Sequence, residues 1–120
     1  MAIIHPTAVI GNEVKIDDST EIEKEVKIGD NCVLGKEVLI EKKSIIGNRV
    51  TIGDGSVIEK KSNIGNDCVL GKKVVVEKKT VIGIGVTIGD NVVIRQNVTV
   101  LDGANIPDST VIKEETTFPQ

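Results

Sequence analysis

The sequence predicts an all-β chain folded as one parallel β-helix, a solenoid of triangular cross-section with six to seven coils of 18 residues. Three observations predict it. Apolar residues recur at every sixth position without interruption, the residue after each of them follows an 18-residue pattern, and large aromatic side chains are almost absent. The 120 residues include one Phe and no Trp or Tyr, while Val and Ile carry nearly all the apolar content. Aromatic rings supply much of the buried area of a layered domain. A core that does without them is narrow and filled by uniform aliphatics.

The hexad begins at Ile4 and steps through Ile10, Ile16, Ile22, Ile28, Leu34, Ile40 and onward to Ile106, Ile112 and Phe118, and every member is apolar. Two residues before each stands a small or branched residue, such as Ala8, Val14, Thr20, Val26, Cys32, Val38 and Ser44. A spacing of two within an extended segment points both side chains to the same face. Turn formers come next, including Asp30-Asn31, Asn48-Arg49, Asp54-Gly55, Asn66-Asp67 and Asp90-Asn91. Each hexad is therefore a short strand and a corner. Gly and Asn are expected there because they tolerate the positive φ of a tight corner.

The second period sets the number of corners. The residue after each aliphatic reads Gly29, Gly35, Glu41; Gly47, Gly53, Glu59; Gly65, Gly71, Glu77. Three hexads therefore close one coil. A length of about 30 Å follows from a rise of roughly 4.8 Å per coil. One domain spans residues 1–120, with a first coil over 1–15 and a capping coil over 101–120.

The repeated aliphatic-Gly-x-x-x-x pattern resembles the hexapeptide-repeat superfamily, which implies a left-handed parallel β-helix. Periodicity itself does not fix the hand, and most parallel crossovers are right-handed. The opening Ile4-His5-Pro6-Thr7-Ala8-Val9-Ile10-Gly11 resembles the first coil of sugar-nucleotide acyltransferases of lipid A synthesis. Ile106-Pro107-Asp108-Ser109-Thr110-Val111-Ile112 resembles the final coil of sugar O- and N-acetyltransferases. The superfamily's members are typically homotrimers with parallel axes.

Outward residues sort into three faces. The first reads Val9, Lys27, Ile45, Asn63, Val81, Thr99, and the second Lys15, Val33, Thr51, Val69, Thr87, Asn105. The third reads Ile3, Glu21, Leu39, Val57, Val75, Val93, Val111. Only the third carries an unbroken apolar stripe, and a stripe of that length marks an interface. Leu39, Val57, Val75, Val93 and Val111 are the expected contacts of a homotrimer. The same face carries Glu23, Glu41, Glu59 and Glu77, and its corner carries Lys42-Lys43, Lys60-Lys61 and Lys78-Lys79. Stacked like charges repel, so each row calls for opposite charge from the adjacent residues or from another subunit. The six lysines are also a candidate anion-binding edge, although no aromatics interleave them as single-stranded nucleic acid would require.

Signals for chemistry are few. The resemblance implies a His general base between subunits, and such a base must titrate near neutrality. The one His is His5, in the opening coil, and it is the candidate for that role beside a structural one as a cap. No hexad is interrupted to make a substrate-covering loop, and one His cannot build the three-His zinc site of the superfamily's carbonic anhydrases. Lys113-Glu114-Glu115-Thr116 stands where acetyltransferases frequently continue Gly-x-Pro-Ala. Gly65 to Gly71-Lys72-Lys73 has the wrong spacing for a phosphate loop, and Gly83-Ile84-Gly85 is a fragment of the repeat. Cys32 and Cys68 fit no metal spacing and are expected to be small buried residues.

A net charge of −3 gives no pull toward nucleic acid or anionic membrane, and no apolar run approaches the 18 residues of a membrane span. A cytoplasmic location follows as the expectation. Lys and Glu enrichment suggests thermostability. The favoured function is a non-catalytic, self-assembling scaffold or assembly module that needs no cofactor or metal. Two alternatives stand beside it. One is a minimal acyltransferase using acetyl-CoA or another acyl carrier on a sugar or amine, with its site between subunits. The other is an idealised or engineered solenoid without a substrate, suggested by the near-duplication of residues 28–45 in 64–81.

Overall fold

The computed structural model describes residues 1–119, and over them strands of two residues recur at intervals of six from Ile3–Ile4 to Thr117–Phe118. The strands stack into three parallel sheets of seven, seven and six members, each strand pairing with the one 18 residues away. Val57 pairs with Leu39 and Val75 on one sheet, Asn63 with Ile45 and Val81 on the next, and Val69 with Thr51 and Thr87 on the last. These are the three faces that the sequence predicts, in the predicted register. The molecule is a left-handed parallel β-helix, 39 Å long and 21 × 19 Å across.

A two-residue strand buries one side chain and exposes the other. Ile22, Ile28, Leu34, Ile40, Ile46 and Ile52 fill the axis, with Val26, Cys32, Val38 and Val50 in the angles between them. Where the angle residue is polar, its hydrogen stays inside the wall. Ser44 Oγ donates to the Glu59 carbonyl at 2.9 Å, Ser62 Oγ to that of Glu77 at 3.0 Å, and Thr80 Oγ1 to that of Arg95 at 2.9 Å. Cys32 and Cys68 occupy the same kind of position, with Sγ 3.1 Å from the Gly47 and Gly83 carbonyls. Both thiols are free and buried, and burial pushes them above the ordinary thiol range. A protonated, enclosed thiol is a packing group and a poor nucleophile.

The corners hold a difference from the sequence expectation. Positive φ falls on the third corner residue, which is usually not glycine: Asn31, Lys43, Arg49, Lys61, Asp67 and Lys79 all lie near φ 60°. Only Gly55, Gly85 and Gly103 among the glycines adopt it. The glycine that follows each inward aliphatic is needed for space. A Cβ on Gly29 would strike the Asn48 carboxamide oxygen and come within 2.8 Å of the Gly47 carbonyl oxygen. That same Asn48 oxygen accepts the Asp30 N–H at 2.8 Å. The arrangement repeats, with Asn66 receiving the Asn48 N–H beside Gly47 and Asp90 receiving the Lys72 N–H beside Gly71. An Asx side chain from the next coil thus caps each of these corners, and it fits only where a Cβ is missing.

Candidate functional site: the third face and its two edges

The third face presents Leu39, Val57, Val75 and Val93 half-buried in one column, with Val111 exposed beyond them. Each of the four has an apolar neighbour in the adjacent coil, so the column is continuous. On the other faces Val33, Ile45, Val69 and Val81 are exposed singly, with Lys, Asn or Thr in the coils between. A continuous apolar column on an outer surface is the feature that separates this face from its neighbours.

The glutamate row lies beside that column and is occupied differently from the expectation. Glu23, Glu41 and Glu59 each turn a carboxylate oxygen onto the backbone N–H of Lys42, Lys60 and Lys78, at 3.1, 3.2 and 3.2 Å. These N–H groups are the ones that Asx side chains receive at the other two corners. Glu therefore caps from the preceding coil where Gly and Asx would cap from the following one. The neighbouring lysine side chains do not close on the row. Along this corner the ion pair formed among the described residues is Lys43 with Glu25, at 3.8 Å between half-exposed side chains.

Burial pushes the Glu59 carboxyl above the usual glutamate range, and the charges of Glu41 and Glu77 add to it, against the pull of the Lys78 N–H.

Two edges border the face, and they differ in charge. On the edge that follows the face along the chain stand Lys24, Lys42, Lys43, Lys60, Lys61, Lys78, Lys79, Arg95 and Lys113, against Glu23, Glu25, Glu41, Glu59, Glu77, Glu114 and Glu115. The edge that precedes it carries Asp17, Asp18, Glu37, Asp54, Asp90 and Asp108, against Lys36, Lys72 and Lys73. The acidic edge is not evident from the hexad pattern, because its members occupy three different corner positions. Sorting corner residues by edge, as outward residues sort by face, is the signal that finds it.

His5 lies at the head of the glutamate row and lines a cleft of about 390 Å³ with Ile3, Ile4, Glu23, Lys24 and Lys42. Its Nδ1 accepts the Thr7 N–H at 3.1 Å and lies 2.9 Å from Thr7 Oγ1, which in turn accepts the Glu25 N–H at 2.9 Å. Asp17 repeats this geometry at another corner. Its carboxylate accepts from Ser19 N and Oγ at 3.0 and 2.6 Å, and Ser19 Oγ accepts the Glu37 N–H at 2.8 Å. His5 thus does a capping job that a carboxylate does elsewhere. Among the described residues no three His, Cys, Asp or Glu side chains come together as a metal site, and no helix is long and apolar enough to cross a membrane.

Comparison with known proteins agrees with this architecture. The family model of the GMPPB C-terminal domain matches residues 1–83. In three dimensions the chain is similar to the acetyltransferase domain of PglB from Neisseria gonorrhoeae FA1090, with 17% identity and a TM-score of 0.69 over 98% of this chain and 53% of that one. It is also similar to AntD, an N-acyltransferase from Bacillus cereus in complex with dTDP and 3-hydroxybutyryl-CoA, with 22% identity and a TM-score of 0.71 over 92% of this chain and 72% of that one. At such identities the likeness is one of fold. The chain spans about half the length of the PglB domain. No curated protein matches it in sequence.

Proposed function

Since this chain belongs to the family of the GMPPB C-terminal domain, we propose that it is a β-helical assembly module that joins two further copies of itself through the third face, without catalysing a reaction and without a cofactor. The unbroken column of Leu39, Val57, Val75 and Val93 carries this reading. A flank of a prism 39 Å long and about 20 Å wide is of the size that stable partners cover, roughly 800 Å² each. The family takes its name from a C-terminal domain, a part of a longer chain, which suits a module. His5, the one imidazole, holds a corner through the Thr7 N–H, a structural role that suits a module.

Replacing Val57 and Val75 together by Asp buries charge in any interface built on this column. The double variant is expected to sediment as a monomer while keeping its β-sheet circular dichroism. An oligomer that survives both substitutions contradicts the assignment of the face.

The acyltransferase activity of both structural neighbours favours a second reading, transfer of an acyl group from acetyl-CoA or another acyl carrier to a sugar or amine. Its site would be the cleft at His5, completed by another subunit. Turnover of acetyl-CoA with an amino-sugar acceptor, lost in His5→Asp, would establish it, because that substitution keeps the corner cap that Asp17 exemplifies. The module reading expects no turnover from either protein.

A further inference from the structure

The two ends of the prism are built differently. Each of the three sheets finishes in a strand with one partner: Ile3–Ile4, Val9–Ile10 and Lys15–Ile16 at the head, and Asn105–Ile106, Val111–Ile112 and Thr117–Phe118 at the tail. Such strand edges are templates on which further chain can stack. The head keeps the pattern of the repeat, with Gly11-Asn12 standing as Gly29-Asp30, Gly47-Asn48 and Gly65-Asn66 stand in later coils. It also leaves its axis partly open, for Ile4 is 41% exposed and Ile10 and Ile16 are half-buried.

The tail departs from the repeat at the places that would meet a further coil. One coil earlier, the N–H groups of Gly89, Arg95 and Leu101 cross to the carbonyls of Ile106, Ile112 and Phe118, at 2.8, 3.1 and 2.9 Å. In the last coil those three positions hold Pro107, Lys113 and Pro119, so two of the three donors are gone. Space closes as well. A Cβ on Gly83 would strike the Asp102 carboxylate, and one on Gly89 would lie 2.7 Å from the Asp108 nitrogen. Eighteen residues on, those two glycines give way to Leu101 and Pro107, whose side chains stand where the corners of a further coil would sit. The axis is closed too, with Ile106 and Ile112 only 2% and 5% exposed.

A three-sided strand edge is matched by another three-sided strand edge of the same spacing, and for this molecule that is the end of a second copy. Head on tail is the pairing that continues all three parallel sheets, and its repetition gives an open filament. We infer that Leu101, Pro107 and Pro119 are a stop: they hold the head of a second copy off the tail and so prevent growth along the axis. The stop governs the length of an assembly, whereas the third face governs its width, so each can fail without the other.

Leu101, Pro107 and Pro119 are exposed, so replacing all three by Gly is expected to leave the β-sheet circular dichroism unchanged. The released chain is expected to form rods under electron microscopy, with a mean mass by light scattering roughly tenfold or more above the parent's at equal concentration. Adding Ile4→Lys puts a charge on the head and should return the mass to the parent's value. Parent chain mixed in at about one part in ten should shorten the rods, because its head joins a released tail while its own tail refuses the next copy. A folded released chain that keeps the parent's mass at every concentration overturns the stop. So does growth that Ile4→Lys leaves intact, which would put the contact on another surface, and so does a parent that forms rods itself. Should the triple variant lose its fold, Pro107→Gly with Pro119→Gly restores both N–H groups and clears one corner. Rods of that chain, abolished by Ile4→Lys, support the stop, and their absence contradicts it.

Discussion

Glycine and lysine exchange their usual roles at the corners. Gly47 stands where a Cβ would meet the Asn66 carboxamide and backbone, while Lys61 holds the left-handed φ of 60° that glycine adopts freely. Gly47→Ala is therefore expected to destabilise the fold by about 1–3 kcal/mol, as overpacking against an unyielding wall does. Lys61→Gly should do the opposite. It relieves roughly 1–2 kcal/mol of left-handed strain against a smaller chain-entropy loss, a net gain of about 0.5–1 kcal/mol. Urea unfolding of the two variants checks both signs. From the hexad alone glycine reads as the residue for positive φ. That was half legible: the position of the glycine is plain in the sequence, but its reason lies 19 residues away, in the Asx of the next coil. The role of His5 was hidden for the same cause, since Thr7 and Glu25 complete its cap from two different coils.

Glu59 carries a pH signature whose sign follows from its raised pKa. Between the ordinary glutamate value and the higher folded one, the native state binds more protons than the unfolded chain, so stability falls as pH rises through that window and is level above it. Glu59→Gln keeps an oxygen for the Lys78 N–H and removes the charge. The variant should exceed the parent in stability at pH 7, and the difference should vanish below about pH 4, where the parent is protonated too. A gain that is the same at both pH values would show that the carboxylate stack is not its source.

At the scale of the element, the unit of stability is the coil rather than the hexad. A hexad contributes a strand to one sheet, but its caps come from the coils above and below: Asp30 N–H reaches Asn48, and Lys60 N–H reaches Glu41. Removing residues 47–64 takes out one whole coil and leaves every face stacked on itself. That deletion is expected to fold, with a cooperative transition shifted to lower denaturant, as nearest-neighbour stacking implies. Removing only 47–52 displaces every later strand by one face and sets the glutamate row against a glycine row. It should cost more stability than the threefold larger deletion. Face assignment was fully legible in the sequence because parallel stacking makes an 18-residue offset a contact. The hand was not, since a period has no chirality; the resemblance to the hexapeptide superfamily supplied it and the structure has it.

The whole molecule is a rigid prism with one distinctive side. Its interior polar groups are satisfied, with no buried side-chain nitrogen or oxygen lacking a partner among the described residues. The outer surface is where the sequence departs from simple repetition, in the valine column and the two charged edges that frame it. The column was legible from a list of every eighteenth residue. The acidic edge needed only the corner residues sorted by edge, while the Glu caps needed coordinates, because they depend on which way corner side chains turn.

The most direct test is the molar mass of the parent chain in solution, by sedimentation equilibrium over a wide concentration range. Assembly through the third face predicts three times the 12.8 kDa of one chain, lost when Val57 and Val75 become Asp. A single species of 12.8 kDa at every concentration would contradict it.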